Sequence, residues 1–185
     1  MWALLVAAAL FIGGISLYNK LVKLREQADA AWADIDVQLK RRHDLIPNVV
    51  ESVKGYAAQE HKTFEAVVAA RSSAMSAQTP VEKGQAEGML TGTLKSLFAL
   101  VEAYPDLKAS IGFRNLEDTL SNLEDSIQNA RRYYNAVVRD FNTRISQVPS
   151  NLIANSFHFR EREFFEIPEG EKAVPKVSFS DGTAS

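Results

Sequence analysis

The chain has no cysteine. Disulfides, thiolate metal sites, a cysteine nucleophile and a lipid-modified N-terminal cysteine are therefore excluded. It has no basic excess either. Lys and Arg number 21 against 23 Asp and Glu, a net charge of −2, so the electrostatic footprint of a nucleic-acid binder is missing. Histidine is scarce: His43, His61 and His158 are the full set. None forms an H-E-x-x-H or Glu-x-x-His pattern, which removes zincin and ferritin-like di-iron chemistry. His61 and Glu65 share one helical face, but two such groups on a charged helix read as a solvated surface rather than a metal site. There is no G-x-S-x-G elbow, Walker A loop or Rossmann glycine fingerprint. No cofactor, metal or catalytic residue is expected, and the reading is non-enzymatic. Glycine (9) and proline (6) are few and sit mostly at segment ends. With 46% hydrophobic residues in 185, the composition is that of a folded domain with a small appendage.

Charge is also missing from one stretch. Residues 1–17, MWALLVAAALFIGGISL, are uncharged. At roughly 1.5 Å per residue they reach the lower limit for crossing a core of about 30 Å. Trp2 and Tyr18 mark the two ends, where amphipathic rings favour the interface. Lys20, Lys23 and Arg25 follow, and the lysines can extend the span by snorkelling. Gly14-Ile15-Ser16 is a passable signal-peptidase site. A cleaved signal, however, needs a basic region before the apolar run, and here the basic residues come after it. The pattern favours an uncleaved anchor, residues 1–19, with a short N-terminus outside and the remainder in the cytoplasm.

Past the anchor the pattern is helical. Trp32, Ile35, Leu39, Arg42, Ile46, Val49, Val53 and Tyr56 alternate spacings of three and four, and Arg42 is the sole polar member. Pro47 lies inside this run and predicts a kink or break near residues 43–46. Thr79-Pro80-Val81-Glu82 reads as a capping box with proline at the first helical position. The helix it opens should run to Tyr104, before Pro105; Gly84, Gly88 and Gly92 on one face either suit close approach of another helix, the favoured reading, or leave its first half weak and flexible. Asn115 is the expected cap of a long helix whose Leu116, Leu120, Leu123, Ile127, Ala130, Tyr134, Val137 and Phe141 form heptads, extended by Ile145 and Val148. Residues 20–167 are thus expected to be an antiparallel bundle of long helices closed by an aromatic segment, and residues 168–185 a mobile tail. The fold class is all-α.

Three groups are candidate functional residues. Lys40, Arg41, Arg42, His43 and Asp44 form the densest polar run. Arg42 lies in the apolar seam and needs a carboxylate partner, with Glu117, Glu124 and Asp125 as candidates; the run is either a buried ion pair beside a solvated face or a partner-binding patch. Phe157, Phe159, Phe164 and Phe165 are interleaved with alternating Arg and Glu, and either fold back onto the end of the bundle or form a docking surface. Asn135 and Asn142, seven apart beside the seam, are expected to hydrogen-bond across helices and fix register.

Two stretches, Ala31-Trp32-Ala33-Asp34-Ile35-Asp36-Val37-Gln38-Leu39-Lys40-Arg41-Arg42-His43-Asp44-Leu45-Ile46-Pro47-Asn48 and Arg132-Tyr133-Tyr134-Asn135-Ala136-Val137-Val138, together with Val101-Glu102-Ala103-Tyr104-Pro105-Asp106, resemble the LemA family of bacterial membrane proteins. The resemblance implies one N-terminal membrane helix with its N-terminus outside, and a helical bundle in the cytoplasm at the inner membrane. The magnetosome protein MamQ is similar in kind, which implies a role in shaping or organising membranes. The family's association with membrane metalloproteases and TPM-domain proteins implies such partners here. It supplies no catalytic residues. The functional expectation is a membrane-anchored scaffold that forms homo-oligomers in the lipid bilayer. The alternative is a monomeric adaptor or regulator of a membrane protease or envelope-stress factor.

Overall fold

The computed structural model describes residues 1–166. Helix α1 (Trp2–Lys54) begins in the uncharged segment and continues without interruption into the bundle. Its 53 residues span about 80 Å. No glycine or proline lies between Gly14 and Pro47, and the apolar period persists, so nothing separates anchor from bundle. Helices α2 (His61–Ser76), α3 (Pro80–Val101), α4 (Pro105–Ala109), α5 (Ile111–Ser146) and α6 (Ser150–Ser156) follow. Among the described residues there is no strand. The expected tail, residues 168–185, lies outside the described residues.

Of the kink or break expected near residues 43–46, the break does not occur: α1 is continuous through Pro47. Proline lacks the N–H that would bond the carbonyl of residue 43. Arg71 on α2 replaces it: its Nε donates to the His43 carbonyl at 2.7 Å. The hydrogen bond lost inside one helix is supplied by its neighbour, and the helix stays continuous.

Three further boundaries differ from the sequence reading. Helix α3 stops at Val101 rather than Tyr104. Helix α5 starts after Ser110, ahead of the expected cap Asn115, and ends at Ser146. Val148 therefore falls outside the seam and is exposed. Tyr56 is exposed for the same reason, since α1 ends two residues before it.

α1 and α5 run antiparallel along the whole body, and the core has three tiers. Farthest from the anchor, Ile46, Val49 and Val53 of α1 pack with Phe64 and Val67 of α2, Leu90, Leu94 and Leu97 of α3, Leu107 of α4 and Phe113 of α5. In the middle tier Ala28, Ile35 and Leu39 meet Ile127, Tyr134 and Val138, together with Phe165. Nearest the anchor, Leu21 meets Phe141, Ile145 and Ala154 of α6. The Thr79 capping box is formed: the Glu82 N–H donates to Thr79 Oγ1 at 3.2 Å and the Thr79 N–H to Glu82 Oε2 at 3.1 Å. The backbone N–H groups of Gln78 and Thr79 hold the Glu82 carboxyl below its ordinary value. A depressed folded-state pKa means this stabilisation is present above the ordinary carboxylate range and lost as pH falls through the lowered value. Thr79→Ala should cost about 1 kcal/mol in chemical denaturation with little dependence on pH, because it removes the acceptor of the Glu82 N–H and leaves both backbone donors to the Glu82 carboxylate in place.

Candidate functional site

Arg42 is 3% exposed and so is Glu87 of α3. The Arg42 guanidinium is 3.2 Å from Glu87 and 3.1 Å from Glu124, and donates to Thr91 Oγ1 at 2.7 Å. Arg42 Nε has no partner. His43 Nε2 is 2.6 Å from the other Glu87 oxygen. An ionised carboxylate only accepts, so this contact places the proton on Nε2. Of the expected partners, Glu124 is found and Glu117 and Asp125 make no bond to Arg42. Glu87 was not anticipated. Its register was a usable signal, because Glu87 falls on the same three-four face as Leu90, Leu94, Leu97 and Val101.

The run from Lys40 to Asp44 therefore divides. Arg42 and His43 face inward and tie α1 to α3 and α5, while Lys40, Arg41 and Asp44 are exposed. Around the uncharged segment, Trp2 is exposed at the N-terminal end, Lys20 and Lys23 are exposed, and Tyr18 is half-buried with its ring 4.7 Å from Phe157. Arg25 lies over the Phe159 ring at 5.6 Å and pairs with Glu26.

The second constellation is built around the chain after α6. The helix ends with His158 at φ 57°, the left-handed position of a Schellman turn: the His158 N–H bonds Asn155 O, and the Phe159 N–H bonds Ala154 O. The chain reverses there, and residues 159–166 run back in the groove between α1 and α5. Asn142 brackets Arg162: its Oδ1 accepts from the Arg162 N–H and its Nδ2 donates to the Arg162 carbonyl, both at 2.9 Å. Asn135 brackets Phe165 in the same way, at 2.9 and 3.0 Å. The spacing explains the repeat by sevens. Two helical turns rise about 10.5 Å, and three residues of extended chain cover about 10 Å.

Asn135 and Asn142 thus hold the backbone of the return segment rather than another helix, which corrects the expected register role. Tyr134 adds a bond from its hydroxyl to the Glu163 carbonyl at 2.9 Å, and burial pushes its pKa up, keeping that donor protonated. Arg162 pairs with Asp29 at 2.7 Å. Phe165 is buried against Trp32 and Tyr134, and Phe159 contacts Tyr18 and Phe141. Phe164 is half-buried and Phe157 exposed. The aromatics fold back along the side of the bundle, completing the middle tier, to which α2 and α3 give no buried apolar side chain, rather than closing its end.

Gly84 is part of this arrangement. A Cβ there would lie 1.8 Å from the Glu166 carbonyl oxygen, so the close approach is to an extended backbone and not to a helix. Gly92, by contrast, faces open space. Gly84→Ala should loosen the return segment, seen as faster amide exchange at Phe165. With the chain truncated before residue 160, the same change should stabilise α3 by about 1 kcal/mol.

Residues 31–179 match the family model described as LemA family. The chain belongs to the LemA family. The matched region begins within α1 and takes in the ion cluster, both asparagines and the return segment. Two magnetosome proteins of Paramagnetospirillum magneticum, MamQ 1 and MamQ 2, are each 28% identical over 184 residues, covering 85% of this chain and 68% of theirs. Protein LemA of Metamycoplasma hominis is 27% identical over 158 residues, covering 83% of this chain and 71% of its own. In this LemA-family chain the ion cluster joins α1 to α3 and α5, and the asparagines join the return segment to α5. Among the described residues, no three His, Asp or Glu side chains are grouped to hold a metal ion.

Proposed function

We propose that this LemA-family protein is a non-enzymatic scaffold anchored in the bacterial inner membrane, with its N-terminus outside and its bundle in the cytoplasm. In this reading it self-associates through the anchor and organises membrane or partner proteins. The observation that carries the proposal is the continuity of α1. The uncharged residues 2–17, exposed except at Gly14 and Leu17, and the buried seam from Leu21 to Val53 are one helix, so copies associating in lipid orient their bundles as well. Lys20, Lys23 and Arg25 support a cytoplasmic bundle by the positive-inside rule. The similarity to proteins named for the magnetosome supports a membrane-linked assembly. The mass of the full chain extracted in native lipid tests this. A uniform oligomer is expected, and a monomer overturns the scaffold.

A second reading, an adaptor for a membrane protease, is favoured by one feature. Exposed Lys40 and Asp44 line a shallow groove of about 300 Å³ with Asp36, Met75 and Lys83, and exposed Arg41 lies beside them. Charge reversal at Arg41 should then abolish co-purification of a partner, and an unchanged pull-down would sink that reading.

A further inference from the structure

Helix α6 packs across the junction of α1, touching the inner end of the uncharged segment as well as Leu21 just beyond it. A Cβ at Gly14 would be 4.0 Å from Ile153 Cδ1, and the Tyr18 ring packs on Phe157. Both α1 residues belong to the inner end of the apolar segment. Between the two helices is an open, apolar groove of about 360 Å³, lined by Leu10, Phe11, Gly14, Ile15, Ile153 and Phe157.

The rest of this region is unusual for a surface. Val148, Leu152 and Phe157 are 80%, 64% and 58% exposed. In a chain with 24% charged residues, no Asp, Glu, Lys or Arg lies between Arg144 and Arg160. Three large apolar side chains left in water at one end of the body form the kind of patch that marks a contact surface. Its neighbours identify the occupant. Phe157 packs on Tyr18 and Ile153 approaches Gly14, so α6 meets the uncharged segment there; the uncharged stretch around α6 is bounded in sequence by Arg144 and Arg160, and Lys20 and Lys23 follow on α1. Cations at that height face lipid phosphates.

We propose that α6 is a second membrane element. It is an interfacial foot embedded in the leaflet facing the bundle, with Val148, Leu152 and Phe157 among the acyl chains and the groove against α1 filled by lipid. The inference rests on the membrane anchor of the proposed function, and adds that the bundle is seated on the bilayer rather than standing away from it. Burial of such a face in the headgroup-acyl boundary follows the energetics of interfacial helices. The tight turn at His158 then lifts the return segment out of the interface toward Asn142.

The absence of cysteine makes the test direct. Single cysteines at Ala8, Leu152 and Val68, an exposed position on α2 far from the anchor, are spin-labelled in the full chain. Each is reconstituted in vesicles of phosphatidylethanolamine and phosphatidylglycerol. Collisions with lipid-soluble oxygen are compared with those of a water-soluble nickel chelate. Oxygen should dominate at Ala8 and at Leu152, and nickel at Val68. Oxygen at Ala8 with nickel at Leu152 overturns the foot while leaving the anchor intact. Nickel at Ala8 overturns both.

Discussion

Arg42→Leu should lower the stability of the full chain by about 3–5 kcal/mol, the range for removing one partner of a buried ion pair. Glu87 is then left desolvated between helices, with His43 and no guanidinium. Denaturant titration of the reconstituted protein measures the loss. The cost comes from the stranded charge rather than from the worth of the pair, and a second substitution separates the two. Arg42→Leu combined with Glu87→Leu should recover most of the stability, because neither charge then has to be desolvated. Glu124→Gln should cost far less, about 1 kcal/mol or under, since its side chain is 31% exposed and water replaces the lost contact. A single Arg42→Leu variant as stable as the parent would mean the cluster is hydrated in solution.

Phe165→Ala should release the return segment. Truncating a fully buried phenylalanine costs about 3–5 kcal/mol where the surroundings cannot relax. Here they can, because residues 159–166 can leave the groove without unfolding the helices. The global loss is therefore limited to the docking free energy of the segment, and the larger effect is local. The amides of Arg162 and Phe165, which donate to Asn142 and Asn135, should lose their protection from hydrogen exchange while the α1 and α5 amides of the far tier keep theirs. Trp32 loses a ring neighbour, so its fluorescence should shift toward that of an exposed indole. Asn135→Leu should have the same signature, since it removes both bonds to Phe165 and leaves that residue's N–H and carbonyl unpaired beside the helix. Unchanged exchange at 162 and 165 in Phe165→Ala would show that the asparagines alone hold the segment.

Much of this was legible in order of periodicity. The α1 seam and the α5 heptads repeat every three or four residues, and burial follows them from Ile35 to Val53 and from Leu120 to Ile145. Arg42 stood out because it broke an apolar period, which announced a buried charge before its partners were visible. Glu87 holds a comparable position on α3, but the three glycines of that helix weaken its apolar period. The return segment had no period to read. Its main-chain bonds are indifferent to the side chains that carry them, so only the composition of the aromatic cluster was visible, and its path was not. The asparagine repeat is plain in the sequence, but a heptad spacing fits a helix partner and an extended partner equally, since two helical turns and three extended residues have nearly the same length.

By itself the sequence determined the elements whose causes are local. These are the uncharged segment and its flanking cations, the capping box at Thr79, the amphipathic faces, and hence an all-helical chain with one apolar N-terminal segment. Tertiary structure alone decided whatever required a group from elsewhere in the chain. Pro47 stays within a helix because Arg71 satisfies the His43 carbonyl. Arg42 is held by α3 and α5 together. The middle tier is completed by Phe165, and α6 is set against the anchor. Local periodicity reports which face of a helix avoids water. Which neighbour then covers that face depends on the whole chain at once.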